Sequence, residues 1–147
     1  LTNASSADAG ACFDLGRVAK AGEVAVKTTT IGVNFTDLFA RMLPSDAPLI
    51  PGVEAVGTVV AVGDGVIDVH PGQRVIAAPL FRLGAYAEQF VVDATHALPI
   101  PDSITDDAAG ALALNYGTAY AALHHCARVQ PGDTIVIHAA GGGADDH

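Results

Sequence analysis

The spacing of apolar side chains changes character along the chain. From Glu23 the run EVAVKTTTIGV, with Val24 and Val26 alternating and β-branched residues following, predicts a strand that ends at Gly32. FTDLFARM then sets Phe35, Leu38, Phe39 and Met42 at helical spacing, which predicts a short amphipathic helix stopping before Pro44. After the proline-bearing loop PSDAPLIPG, the segment VEAVGTVVAVGDGVIDVHPGQRVIAAP predicts a β-meander. Its valine-rich runs are interrupted by Gly63-Asp64-Gly65 and Pro71-Gly72. AYAEQFVVD predicts one more half-buried strand, with Ala85, Ala87 and Gln89 on one side and Tyr86, Glu88 and Phe90 on the other.

Beyond Pro99 and Pro101 β-branched residues thin out, and DSITDDAAGALALNYGTAYAALHHCARV predicts two successive helices, roughly Thr105 to Leu112 and Tyr116 to Ala127. Tyr116, Ala119, Tyr120 and Leu123 recur at helical spacing, so both tyrosines read as core or cleft-wall residues rather than proton donors. Pro131-Gly132 stops the helix. DTIVIHAAGGG then predicts a short buried strand running into glycine. Leu1 to Ala21 has no sustained period and reads as a poorly defined N-terminus.

Composition narrows the function classes. Half of the 147 residues are hydrophobic, yet no apolar run approaches the roughly 18 residues of a membrane span, so the expectation is a soluble, cytoplasmic protein. A net charge of −9 opposes binding to a polyphosphate backbone, which argues against nucleic acid as a partner. Cys12 and Cys126 form no CxxC pair; reduced thiols are the simplest reading, and a disulfide between them stays open. The start, LTNASSADAGACFDLG, lacks the basic region and apolar core of a signal peptide and has no initiator Met.

A strand followed by clustered glycines can bring backbone N–H groups up to a pyrophosphate, so Gly141, Gly142 and Gly143 are candidate cofactor-binding residues; taken alone, glycines after a strand are more often just a turn. The order of motifs carries more. GEVAVKTTTIGVNFTDLFARM, PLIPGVEAVGTVVAVGDGV, PGQRV, GAYAEQFVV, NYGTAYAAL and PGDTIVIHAAGGG, from Gly22 to Gly142, together resemble the zinc-independent quinone oxidoreductases of the medium-chain dehydrogenase/reductase superfamily. Polyketide enoyl reductase domains share the layout. The resemblance implies a mainly β fold with some α: a GroES-like β-barrel over residues 22–112, then the first helix and strand of a truncated Rossmann domain over 113–147. It implies NADPH as cofactor, a small-molecule quinone or enone as substrate, and homo-oligomers among the full-length relatives.

Zinc-dependent relatives place a cysteine where this chain has Asn34 and a histidine where it has Val53, so no metal site is expected. His124-His125-Cys126 does not change this, because adjacent helical residues point in different directions. By resemblance, Asn34 and Thr118 are the catalytic and cofactor-contacting candidates, lying near nicotinamide and substrate. From the residues alone, Asn34 reads first as a helix cap, ahead of any catalytic role, and Thr118 equally as a hydroxyl bonded back to its own helix. Glu54 and Asp37 match positions that hold loops together. The activity implied is hydride transfer from NADPH to a quinone or enone.

The chain departs from the pattern at GGGADDH, where Ala144 replaces a glycine and Asp145 and Asp146 put negative charge near the phosphate position. The expectation is a truncated, inactive fragment. Two alternatives stand beside it: a standalone GroES-like binding module, and a fragment of a polyketide-type enoyl reductase, from which the loop MLPSDAPLIPG departs by lacking a tyrosine.

Overall fold

The structure, a computed structural model, describes residues 19–42 and 49–138. Cys12 and the candidate residues Gly141, Gly142 and Gly143 lie outside the described residues, as do Ala144, Asp145 and Asp146.

Five antiparallel strands form one sheet: β1 (Glu23–Ile31), β2 (Ala55–Val62), β3 (Arg74–Ala77), β4 (Gln89–Asp93) and β5 (Ala97–Pro99), in the spatial order β4-β1-β2-β3-β5. β4 and β5 are therefore opposite edges, yet only the 3-10 turn Ala94–His96 separates them in sequence. An extended link of that length reaches at most about 14 Å, whereas the edges of a flat five-stranded sheet lie about 19 Å apart. The sheet must roll. Irregularities in the β1–β2 ladder between Ala25 and Val26 and between Thr28 and Thr30 add local bend and twist where the roll requires it.

Rolling divides the side chains into an inside and an outside by the period of two. Val24 and Val26, Ala55 and Val59, Val75 and Ala77, Phe90 and Val92, and Ala97 form the inner core, one set from each strand, joined by Val69 and Ala85. Each fully buried valine contributes about 1.5–3 kcal/mol through apolar burial, which is what a sheet with such short edge strands relies on. The alternate residues Val56 and Ile76 face outward, where Ile100 and Ala109 cover them. The covering helix α2 (Asp106–Ala109) is capped by Thr105, whose hydroxyl accepts the Ala108 N–H at 3.3 Å. Arg74 on β3 pairs with Asp106 and donates to the Ile104 carbonyl at 2.9 Å, fastening α2 to the sheet.

Several expectations need correction. The helix predicted from FTDLFARM forms as α1 (Phe35–Ala40), but its apolar stripe faces outward: Phe35, Leu38, Phe39 and Met42 are 72, 52, 57 and 78 % exposed, and the buried residues are Asp37 and Ala40. Hydrogen bonding of Asp37, described below, turns the polar face inward. The strand in AYAEQFVVD is confined to Gln89–Asp93, with Phe90 and Val92 inside. α2 ends at Ala109. The second helical stretch starts earlier than predicted, with π-helical turns at Leu112–Tyr116 and Ala121–Ala127 on either side of α3 (Gly117–Tyr120). Tyr116 and Tyr120 are 45 and 48 % exposed and stack at 6.5 Å, so they are not core residues. The predicted buried strand from Thr134 is also not formed among the described residues. Ile135, Val136 and Ile137 are 47, 77 and 57 % exposed without a ladder partner there, and a strand needs a neighbour to satisfy its backbone.

Candidate active site

β1 delivers the chain to Asn34, which adopts an extended backbone (φ −123°, ψ 156°) and opens α1. Asn34 and Asp37 stand as a capping box realised firmly on one side: the Asp37 carboxylate accepts the Asn34 backbone N–H at 2.8 Å. The Asp37 N–H is taken by the Asn34 main-chain carbonyl at 3.0 Å. Asp37 also accepts the Gly52 N–H at 3.2 Å and the Tyr86 hydroxyl at 3.0 Å. One buried carboxylate thus gathers α1, the 51–54 loop and the 80–86 segment. Gly52 is needed at this junction, since its φ is +105° and a Cβ would stand 2.5 Å from Tyr86. Burial, followed by the hydrogen bond to Asp37, pushes the Tyr86 phenol up to about 12, so it remains a donor well into the alkaline range.

Glu54 is fully buried. Its Oε1 accepts from Asn34 Nδ2 at 2.8 Å and its Oε2 from the Leu114 N–H at 2.9 Å, tying residues 20 and 60 positions away into one network. Burial raises its pKa; the bonds from Asn34 and Leu114 act against this, and the nearby Asp37 charge adds to the rise. With Nδ2 committed to Glu54, Asn34 Oδ1 is left buried and without a partner among the described residues. An unmet buried acceptor costs about 1–3 kcal/mol, and Oδ1 can take one further donor.

Beside this network lies an apolar cleft of about 310 Å³, lined by Thr36, Phe39, Ala40, Val53, Leu80, Leu83 and Leu114. The Leu80 N–H bonds the Val53 carbonyl at 3.4 Å, and the Gly84 and Tyr86 N–H groups bond the Pro51 carbonyl at 3.2 and 3.0 Å, so the walls are tied by main chain. The two expected catalytic residues are placed differently. Asn34 is at the centre of the network, whereas Thr118 is exposed on α3, four residues beyond Leu114 and outside the buried hydrogen bonds. Leu80, Leu83 and Tyr86 were not singled out from the sequence; a leucine gives no sign of its backbone angle, and the reach of Tyr86 to Asp37 spans 49 positions.

The position implied for zinc holds an amide and an isopropyl group, Asn34 and Val53, neither of which suits that ion. No group of three or more His, Cys, Asp or Glu residues among the described residues could hold a metal. Tyr120 packs against both His124 and His125, with ring centroids at 4.4 and 5.8 Å, and Cys126 is exposed and free. No helix among the described residues is long and apolar enough to cross a membrane.

Residues 20–102 match the alcohol dehydrogenase GroES-like domain. The chain is 38 % identical over 126 residues to the human synaptic vesicle membrane protein VAT-1 homolog, covering 83 % of this chain and 32 % of that protein. It thus spans about a third of the length of that relative. Among solved structures it is similar to a quinone oxidoreductase of Pseudomonas syringae pv. Tomato DC3000, with a TM-score of 0.82 and 34 % identity over 88 % of this chain and 40 % of that one. A mycobacterial protein complexed with NADPH superposes with a TM-score of 0.79 and 36 % identity, over 88 and 40 % of the two chains. Matched in its fold and in its sequence over most of its length, the chain belongs to the alcohol dehydrogenase GroES-like domain family, within the zinc-independent quinone oxidoreductase and enoyl reductase group of the medium-chain dehydrogenase/reductase superfamily.

Proposed function

We propose that this chain supplies the barrel side of a cytoplasmic, NADPH-dependent reductase that transfers hydride to a quinone or an α,β-unsaturated carbonyl, with residues 22–112 as the GroES-like unit and 113–147 opening the dinucleotide-binding unit. The observation that carries the reading is Asn34: a buried amide, fixed through Glu54, whose acceptor Oδ1 has no partner among the described residues and stands in the network beside an apolar cleft. Such an acceptor fits a group bringing an N–H, as the carboxamide of a nicotinamide does. When bound, the nicotinamide supplies the hydride; the protein's part is to orient donor and acceptor and to exclude water.

In this reading Asn34 orients the reacting partners by hydrogen bonding, and the cleft wall from Val53 to Leu114 takes the hydrocarbon of the acceptor. Thr118 borders the nicotinamide on the adjoining helix, and the backbone of Gly141, Gly142 and Gly143 receives the pyrophosphate. No acid is required of the protein for a quinone, because a hydroquinone anion can take its proton from water.

The test joins these 147 residues to the dinucleotide-binding domain of a structurally similar quinone oxidoreductase and follows NADPH oxidation with quinone and enone acceptors. Asn34→Ala and Thr118→Ala are each expected to lower turnover on the order of 100-fold. Thr118→Ala leaves stability nearly unchanged, whereas Asn34→Ala also strands the buried Glu54 Oε1 at about 1–3 kcal/mol, so turnover is measured per folded protein after thermal melts. Normal turnover by both variants with both acceptor classes would remove the assigned roles.

A further inference from the structure

The turn that closes the apolar cleft is built from residues in conformations that side chains avoid. Leu80 has φ +51°, a left-handed value uncommon for leucine, and Leu83 has φ +57° with ψ −168°, next to a region that is almost the preserve of glycine. Gly84, the next residue, has φ +104° and is the residue type such geometry ordinarily calls for. Among the described non-glycine residues only Arg128 shares a positive φ, and it caps a helix end in the left-handed conformation, a common place for one. Leu80 and Leu83 instead both line the cleft.

Main-chain bonds hold the turn against this strain. The Leu80 N–H is bonded to the Val53 carbonyl, the Leu83 N–H to the Leu80 carbonyl at 3.1 Å, and the Gly84 N–H to the Pro51 carbonyl. A glycine at either position would meet the same bonds without steric cost, so stability alone does not account for leucine at both. What leucine adds is hydrocarbon in the cleft. Of the lining residues only Thr36 carries a polar side-chain atom. A cavity of about 150 Å³ holds benzene, so the cleft's volume of about 310 Å³ corresponds to one ring bearing an alkyl substituent.

We propose that Leu80 and Leu83 are specificity-determining residues, kept in strained backbone because their side chains set the size of the apolar group that the cleft accepts. That group is the ring or alkyl portion of a hydrophobic quinone or enone; this identification of the occupant rests on the reductase reading, whereas the gauging of size does not.

The experiment therefore uses carbonyl-free probes on the 147-residue chain: toluene, n-butylbenzene and 2-ethylnaphthalene, titrated by NMR, with thermal melts of every variant. In Leu80→Gly and Leu83→Gly the preference for toluene over 2-ethylnaphthalene is expected to shift at least about 10-fold toward the larger ligand. Leu83→Gly is expected to melt above Leu83→Ala, the reverse of the usual order, because only glycine relieves the strained φ. Arg128→Gly relieves a positive φ away from the cleft and is expected to leave the ligand ranking unchanged. An unaltered ranking in both glycine variants, melting of Leu83→Gly below Leu83→Ala, or no binding of any probe by the wild-type chain would overturn the proposal. Failure of the reductase reading would show separately, as absent NADPH oxidation in the fused enzyme despite a normal probe ranking.

Discussion

Glu54 keeps a carboxyl group at 0 % exposure with two N–H donors and no ion-pair partner among the described residues. Because burial raises its pKa above that of the unfolded chain, the native state binds a proton more readily than the unfolded state does. The resulting stabilisation is present in full below the unfolded value of 4.5 and is lost as pH rises through the folded pKa. Glu54→Gln lacks this proton, so the stability of wild type relative to Glu54→Gln should decline from pH 4.5 toward neutrality. Urea denaturation of both proteins across that window checks the sign; a relative stability that rises with pH would mean that the two N–H bonds outweigh desolvation. Asp106 works in the other direction, since its hydrogen bond to Arg74 lowers its pKa and its contribution is lost on acidification. The Gln comparison isolates Glu54 from that opposing trend.

The elements show where sequence reasoning reaches and where it stops. Alternation made β1, β2 and β3 legible, because Val24, Val26, Val59 and Val75 face one continuous core and their period survives folding. The same reading misjudged α1. Its helical spacing of apolar residues is real, but Asp37 gathers hydrogen bonds from Asn34, Gly52 and Tyr86, and these partners come from three separate segments. Asn34 was singled out through a family resemblance and lies in the buried network with Glu54, whereas the strained turn at Leu80 and Leu83 was invisible, because backbone strain leaves no mark in residue type. The strand expected from Thr134 failed for a related reason: hydrophobicity alone does not supply a ladder partner. Gly32, where β1 gives way to the loop before α1, offers a test of how tightly the elements are joined. A Cβ there would lie 2.5 Å from Glu54 Cγ and Oε1 and 2.6 Å from the Gly110 carbonyl oxygen. Gly32→Ala should cost about 1–3 kcal/mol as overpacking forces Glu54 aside. Denaturant midpoints check the cost, and loss of protection of the Leu114 amide in hydrogen exchange checks the cause; an unchanged midpoint would show that the junction yields freely.

For the whole molecule, the short passage from β4 to β5 has a kinetic and colloidal consequence. Ala94–His96 is held by the Thr95 N–H and hydroxyl on Asp93, at 2.9 and 2.6 Å, and by the Ala78 N–H on the His96 carbonyl at 3.0 Å. This link removes the slack that would let the two outermost strands drift apart, and each of those strands has a strand neighbour on one side only. Lengthening it with Gly-Ser-Gly-Ser between Thr95 and His96 adds little closure entropy, only about 0.6 kcal/mol for each doubling of loop length. The loop entropy alone therefore predicts a nearly silent insertion. Freed edges predict otherwise: chains should recruit one another strand to strand, refolding yield should fall as protein concentration rises, and light scattering should report growth of assemblies that the uninterrupted chain does not form. If the lengthened protein refolds as a monomer at every concentration, the roll is held by its valine core alone. If it polymerises, three residues of chain are what keep this sheet from becoming a template for its own copies.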